Sequence, residues 1–324
     1  MTKAPGHESG HGFSWREYVD GLVEEHGSLT AVATHLSKHR AYTDDIGSIE
    51  RALRRLRGRK QEAGRIWGAR ALAAFGLPGA AQARAKWMGQ YHSRFTDLPV
   101  PLCIDLVRLW DRPPVSEAPR AAAWIALAHA SCALRGADVE AAAKHVMRAR
   151  AAKGPAEARA ETALVEAFIA SRQDEAKVPA LLDEAEAFLE EAMPDDDRAC
   201  LRARLVDQRA YPLNRAGEHA AAEKLFASLP TSGPSFARYR RASGLAYAAW
   251  RAHGDKATAA ALAREACAHA GDGGHLRLRA MALQTLARIL GEKSAEARAA
   301  RARAAAIVDD LDDEALRLRF RIVG

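Results

Sequence analysis

The residues of this 324-residue chain best placed to do chemistry are basic. Between Ile46 and Lys60, apolar side chains fall at Ile46, Ile49, Leu53 and Leu56, steps of 3, 4 and 3 that mark one face of a helix. The outward face then offers Ser48, Arg51, Arg54 and Arg55, followed by Arg57, Arg59 and Lys60. A guanidinium fork can bridge a guanine edge, and Arg or Lys can hold phosphate, so this face carries chemistry suited to double-stranded DNA. A solvated face on an ordinary helix, or one packed on the rest of the chain, has the same composition. Charge is unevenly spread in the same sense. Residues 1–100 hold 15 Lys or Arg against 10 Asp or Glu, whereas the remainder holds 33 against 31, so an anionic partner would meet the N-terminal region.

Other reactive types are scattered. His7-Glu8-Ser9-Gly10-His11 spells H-E-x-x-H, but that zinc motif needs a helix to bring both imidazoles to one face, and glycines lie inside and around it. Cys103, Cys132, Cys200 and Cys267 are far apart with no C-x-x-C pair, which fits small core residues rather than a zinc cluster or a disulfide scaffold. No phosphate-cradling glycine loop, dinucleotide fingerprint or nucleophile elbow occurs. The sequence predicts no metal, no cofactor and no enzyme activity. It also lacks a long apolar run or a leader-like start, so a cytoplasmic chain without a membrane span is expected.

The elements that must position the basic face are helices. Residues 1–12 read as a flexible tail. Ser14 and Glu17 form a capping box for a first helix that runs to about His26 and stops at Gly27; Ser28 caps a second over Leu29 to Leu36. Asp44 and Asp45 open the third, so residues 13–60 form a three-helix module. Residues 61–115 read as an irregular hairpin, with helices at Arg70 to Phe75 and about Gly79 to Phe95, then a proline-flanked linker helix from Pro99 through Trp110.

From residue 116 to 324 the chain repeats itself. Gly217, Gly254 and Gly291 are spaced by 37 residues, and Gly136 and Gln173 extend the same interval backwards. Each lies between two Ala- and Arg-rich helical segments, so a stacked array of helical hairpins is expected. Asp312 to Ile322 would cap it as a short helix; its alternation also permits a strand.

These residues carry two family resemblances. Gly217 in the inter-helix turn, with Ala222 and Phe226 as A-x3-F, resembles a tetratricopeptide repeat, though the aromatic half of that motif is largely missing. The resemblance implies an all-α, TPR-like α-solenoid whose concave face binds a peptide. Gly27-Ser28-Leu29-Thr30-Ala31-Val32-Ala33 with Leu36 resembles the first half of a bacterial helix-turn-helix, departing from it in a longer turn over His35 to Thr43. Counting by 37 aligns Arg204 with Arg241, and Asn214 with Arg251 and Arg288, beside Tyr211; this set is the expected partner groove, suited to a protein or acidic peptide. The expected function is a non-enzymatic bacterial regulator that binds DNA through the module and a protein, a peptide or a second copy of itself, as a homodimer, through the array. The alternative is an interaction scaffold whose N-terminal helices cap the solenoid and touch no nucleic acid.

Overall fold

A computed structural model describes residues 12–38, 44–58 and 63–322. The chain is all-α: among the described residues there are seventeen α-helices and no strand. The H-E-x-x-H segment, Arg59, Lys60 and residues 39–43 of the long turn lie outside the described residues. No helix among the described residues is long and apolar enough to cross a membrane.

The N-terminal helices form where their caps stand. In α1 (Trp15–His26), Ser14 accepts from Glu17 N–H while Glu17 returns the bond, and Gly27 ends the helix at a φ of 84°. Ser28 caps α2 (Leu29–Ser37) and Asp45 caps α3 (Ile46–Arg57). Trp15, Tyr18, Val32, Leu36, Ile49, Leu53 and Leu56 are buried together. This module does not stand apart from the hairpins, because its core is continuous with Trp124 and Leu127. Next come α4 (Arg65–Phe75), α5 (Gly79–Gly89) and α6 (Val100–Trp110). Tyr18 Oη donates to Gly76 O at 2.8 Å, and the Trp15 indole packs close against Gly64 and Gly68 of α4 and its N-terminus.

That last contact sets a test. A Cβ at Gly68 would sit 2.6 Å from the Trp15 ring. Alanine in a helix interior normally gains about 1 kcal/mol over glycine. Overpacking against a buried indole costs roughly 1–3 kcal/mol and should win. Gly68→Ala is therefore expected to lower the urea midpoint; an unchanged or higher midpoint would show that Trp15 moves aside freely.

The remaining helices pair. α7 (Pro119–Arg135) packs on α8 (Val139–Ala151), α9 (Ala156–Gln173) on α10 (Val178–Leu189), α11 (Asp195–Arg215) on α12 (His219–Ala227), α13 (Ser235–Arg251) on α14 (Lys256–Asp272), and α15 (Leu276–Leu290) on α16 (Ala295–Leu311). First helices also touch in succession, from α7 through α9, α11 and α13 to α15. Gly217, Gly254 and Gly291 take the turns at φ of 83°, 66° and 76°, a region that suits glycine. Ala222 and Phe226 are buried in α12, with Phe226 filling the space that Gly244 leaves on α13. The terminal segment is a helix, α17 (Glu314–Ile322), and it returns to contact α7.

One helix is shorter than expected. Trp87, Met88 and Tyr91 suggest a helix to Phe95, but α5 stops at Gly89. Ser93 Oγ closes its last turn by donating to Trp87 O at 2.5 Å, and Phe95 folds back edge-on to Trp87 with centroids 5.2 Å apart. Gln90 is extended, so residues 90–98 leave the helix and enter the interior of the array.

Candidate functional site

The basic face of α3 is open. Ile49, Ala52, Leu53 and Leu56 point inward, while Arg51, Arg54, Arg55 and Arg57 are exposed and Ser48 is half-buried. Asp45 organises the start of the helix: it accepts from Ser48 N–H at 2.9 Å and from Ser48 Oγ at 2.6 Å. Those bonds hold its carboxyl below the usual range. Arg51 in turn donates to Ser48 Oγ at 2.9 Å. Arg54 pairs with Glu50 at 2.9 Å and Arg57 with Asp20, whereas Arg55 has no carboxylate partner among the described residues. Exposed pairs of this kind contribute only about 0–1 kcal/mol, so a phosphate can compete for either guanidinium.

The second region lies inside the array, where residues 86–98 thread between the first helices. Tyr91 is enclosed by three arginines from successive hairpins. Arg277 of α15 donates to its Oη at 2.7 Å, Arg240 of α13 approaches the same oxygen at 3.5 Å, and Arg204 of α11 stacks over its ring at 4.3 Å. Burial alone would push the Tyr91 phenol up, but these three charges outweigh it and hold its pKa below the ordinary value. Each arginine has its own anion: Arg204 bonds Glu161 of α9, Arg240 bonds Asp207 at 2.8 Å, and Arg277 bonds Asp313 at 2.9 Å. Asp313 also accepts from Arg135 of α7 at 3.0 Å, and Arg135 reaches Leu98 O at 2.8 Å. One carboxylate thus joins the first hairpin, the last hairpin and the threaded segment.

At the other end of the thread, Asp197 accepts from Lys86 Nζ at 2.5 Å and Gln90 Nε2 at 2.8 Å, with His92 Nε2 at 3.4 Å. Burial would raise its pKa, but the His92 and Lys86 contacts prevail and bring it down to about 2 from an ordinary 3.8. A lowered folded-state pKa means that this stabilisation is present above the unfolded value and is lost as pH falls from about 4 towards 2. Asp197→Asn should cost on the order of 2 kcal/mol at pH 7 and flatten the acid limb of stability in urea melts. A variant with an unaltered acid limb would show that the Asp197 cluster is not linked to folding.

The six residues expected to line a groove are dispersed. Arg204 is only 6% exposed and lies in the Tyr91 cluster, so it is not open to a peptide. Arg241 is half-buried and donates to Leu229 O at 3.0 Å, and Asn214 faces His219 Nδ1 at 3.0 Å. Tyr211 is 55% exposed, and Arg251 and Arg288 are also exposed, both over Trp250. The residue brought beside Arg204 is Arg240, one before the expected Arg241. The turn Ala252–Asp255 is one residue longer than Ala216–Glu218, so counting between turn glycines displaces the preceding helix by one.

Sequence reasoning missed Tyr91, Arg240, Arg277, Asp313 and Asp197. Arg204, Arg240 and Arg277 recur at nearly equal intervals, a signal visible only once helix ends replace glycines as the register marks. The described residues include no group of three or more His, Cys, Asp or Glu positioned to hold a metal. The chain matches no family model, no curated protein and no solved structure.

Proposed function

We propose that the chain is a non-enzymatic DNA-binding regulator in which α3 contacts the duplex and the TPR-like array contacts a protein partner. The observation that carries the DNA part is the orientation of α3, whose apolar face lies in the core while Arg51, Arg54, Arg55 and Arg57 stand together in solvent. This is the arrangement a recognition helix requires, with donors free to meet base edges and phosphates. The helical hairpins, glycine turns and buried Ala222 and Phe226 support the TPR-like reading of the array and its solenoid form. A cytoplasmic bacterial setting suits the Ala- and Arg-rich composition.

The second reading is a scaffold whose N-terminal helices only cap the array, and the continuous core from Trp15 to Leu127 favours it. The two share the same anatomy and differ in what α3 touches. Because the core is shared, the test uses the full chain. Polarisation titration on a labelled duplex at low salt should show saturable binding. No binding at low salt would leave the scaffold reading in place.

A further inference from the structure

Residues 86–98 pack against α11, α13 and α15, and a polar recess remains between α15 and α17. It is a small cavity of about 30 Å³ lined by Met281, Gln284, Thr285, Arg288, Arg319 and Phe320. That volume admits a water or the oxygens of one carboxylate, and no cofactor. The chemistry of its walls is one-sided. Two guanidinia reach it from different helices, and no carboxylate lines it. Several arginines of the array are matched across helices, Arg150 with Glu184, Arg209 with Glu186 and Arg264 with Glu296, whereas others, such as Arg241 and Arg251, meet a carbonyl or an aromatic ring. Arg288 and Arg319 have no carboxylate partner among the described residues. Arg319 instead rests against Met281 Sδ at 3.4 Å, and Arg288 lies over the Trp250 ring at 5.3 Å.

A third cation outside the recess lining lies close enough to Arg319 to feel its charge. Arg172, at the C-terminal end of α9, stacks on Phe168 at 4.0 Å and likewise has no carboxylate partner among the described residues. Partial burial lowers its pKa, the nearby Tyr211 opposes that, and the like charge of Arg319 lowers it further. The recess therefore holds unbalanced positive charge on side chains already positioned by sulfur and aromatic contacts. Such guanidinia lose little freedom on meeting an anion, and their forks match carboxylate geometry.

We infer that the recess between α15 and α17 is the array's partner site, in which Arg288 and Arg319, with Gln284 and Thr285 beside them, receive one carboxylate of an acidic peptide segment. This rests on the reading of the array as a protein-binding surface; of the six expected groove residues it keeps Arg288, in the last turn of α15, and leaves out Arg204 and Arg241, which lie mid-helix in α11 and α13.

The test titrates full-length protein against a fluorescein-labelled hexaglutamate peptide at low salt, read by polarisation. Arg288→Gln with Arg319→Gln should weaken binding at least tenfold while far-ultraviolet circular dichroism and the melting temperature stay unchanged. Arg51→Gln with Arg54→Gln and Arg55→Gln should leave peptide affinity within twofold of wild type, and the recess variant should bind duplex DNA as wild type does. Equal peptide affinity of the recess variant and wild type would overturn the inference, as would absence of peptide binding by wild type or a parallel loss of duplex binding. The peptide results do not bear on α3, whose duplex titration judges the DNA reading separately.

Discussion

Asp313→Ala should destabilise the protein by roughly 3–5 kcal/mol, the cost of breaking a buried ion pair from one side. Asp313 is completely buried and accepts three bonds, from Arg135 Nε at 3.0 Å, Arg277 Nε at 2.9 Å and Leu316 N–H at 3.0 Å. Its removal leaves two guanidinia in the interior without their counter-charge. Arg277 would retain Tyr91, and Arg135 would retain Leu98 O, but neither partner neutralises a full positive charge. The N-terminus of α17 would lose its cap in the same step, adding about 1 kcal/mol. Burial would raise the Asp313 pKa, yet Arg277 and Arg135 hold it below the ordinary value, so its contribution is full at neutral pH and disappears as acid protonates it. Urea unfolding at pH 7 measures the effect. A loss under about 1 kcal/mol would show that the contact between α7 and α17 does not depend on this carboxylate.

The second large effect concerns α3. Arg51→Glu, Arg54→Glu and Arg55→Glu together should reduce duplex affinity by roughly 100-fold or more at low salt, because each change removes a cation and adds a charge that phosphate repels. All three side chains are exposed, and the core contacts of α3 come from Ile49, Ala52, Leu53 and Leu56, so the fold should survive. The existing pairs do not protect the complex: Arg54 must leave Glu50, at a cost within the small value of a surface pair. Retained affinity would place any DNA contact elsewhere.

Local structure was legible wherever the determinant was local. The Ser14–Glu17 capping box, the bounds of α3 and the span of α8 depend on side chains within one or two turns of each other. Three inter-helix turns were legible because left-handed backbone selects glycine at Gly217, Gly254 and Gly291; at the same spacing Gly136 has a φ of −79° and Gln173 is the last residue of α9. The threaded segment was not, since Tyr91 ends α5 early for partners 149 and 186 residues away, and nothing in the local apolar pattern records that attraction. Groove residues were misaligned for a similar reason. A single additional turn residue before α14 shifts the helix that precedes it, and periodicity counted from Gly217 and Gly254 cannot detect the shift. The open basic face of α3 was legible, because amphipathic spacing alone separates its Leu and Arg positions; Arg59 and Lys60 lie outside the described residues.

The most direct test of α3 as the DNA-contacting element is the salt dependence of duplex binding by the full chain. Wild type and the Arg51→Gln, Arg54→Gln, Arg55→Gln variant would be titrated on one duplex at several salt concentrations. If the three guanidiniums meet phosphates, each releases about 0.9 of a counterion, and the variant's slope of log affinity against log salt should be shallower by roughly 2–3 units. Parallel slopes for the two proteins would contradict the account.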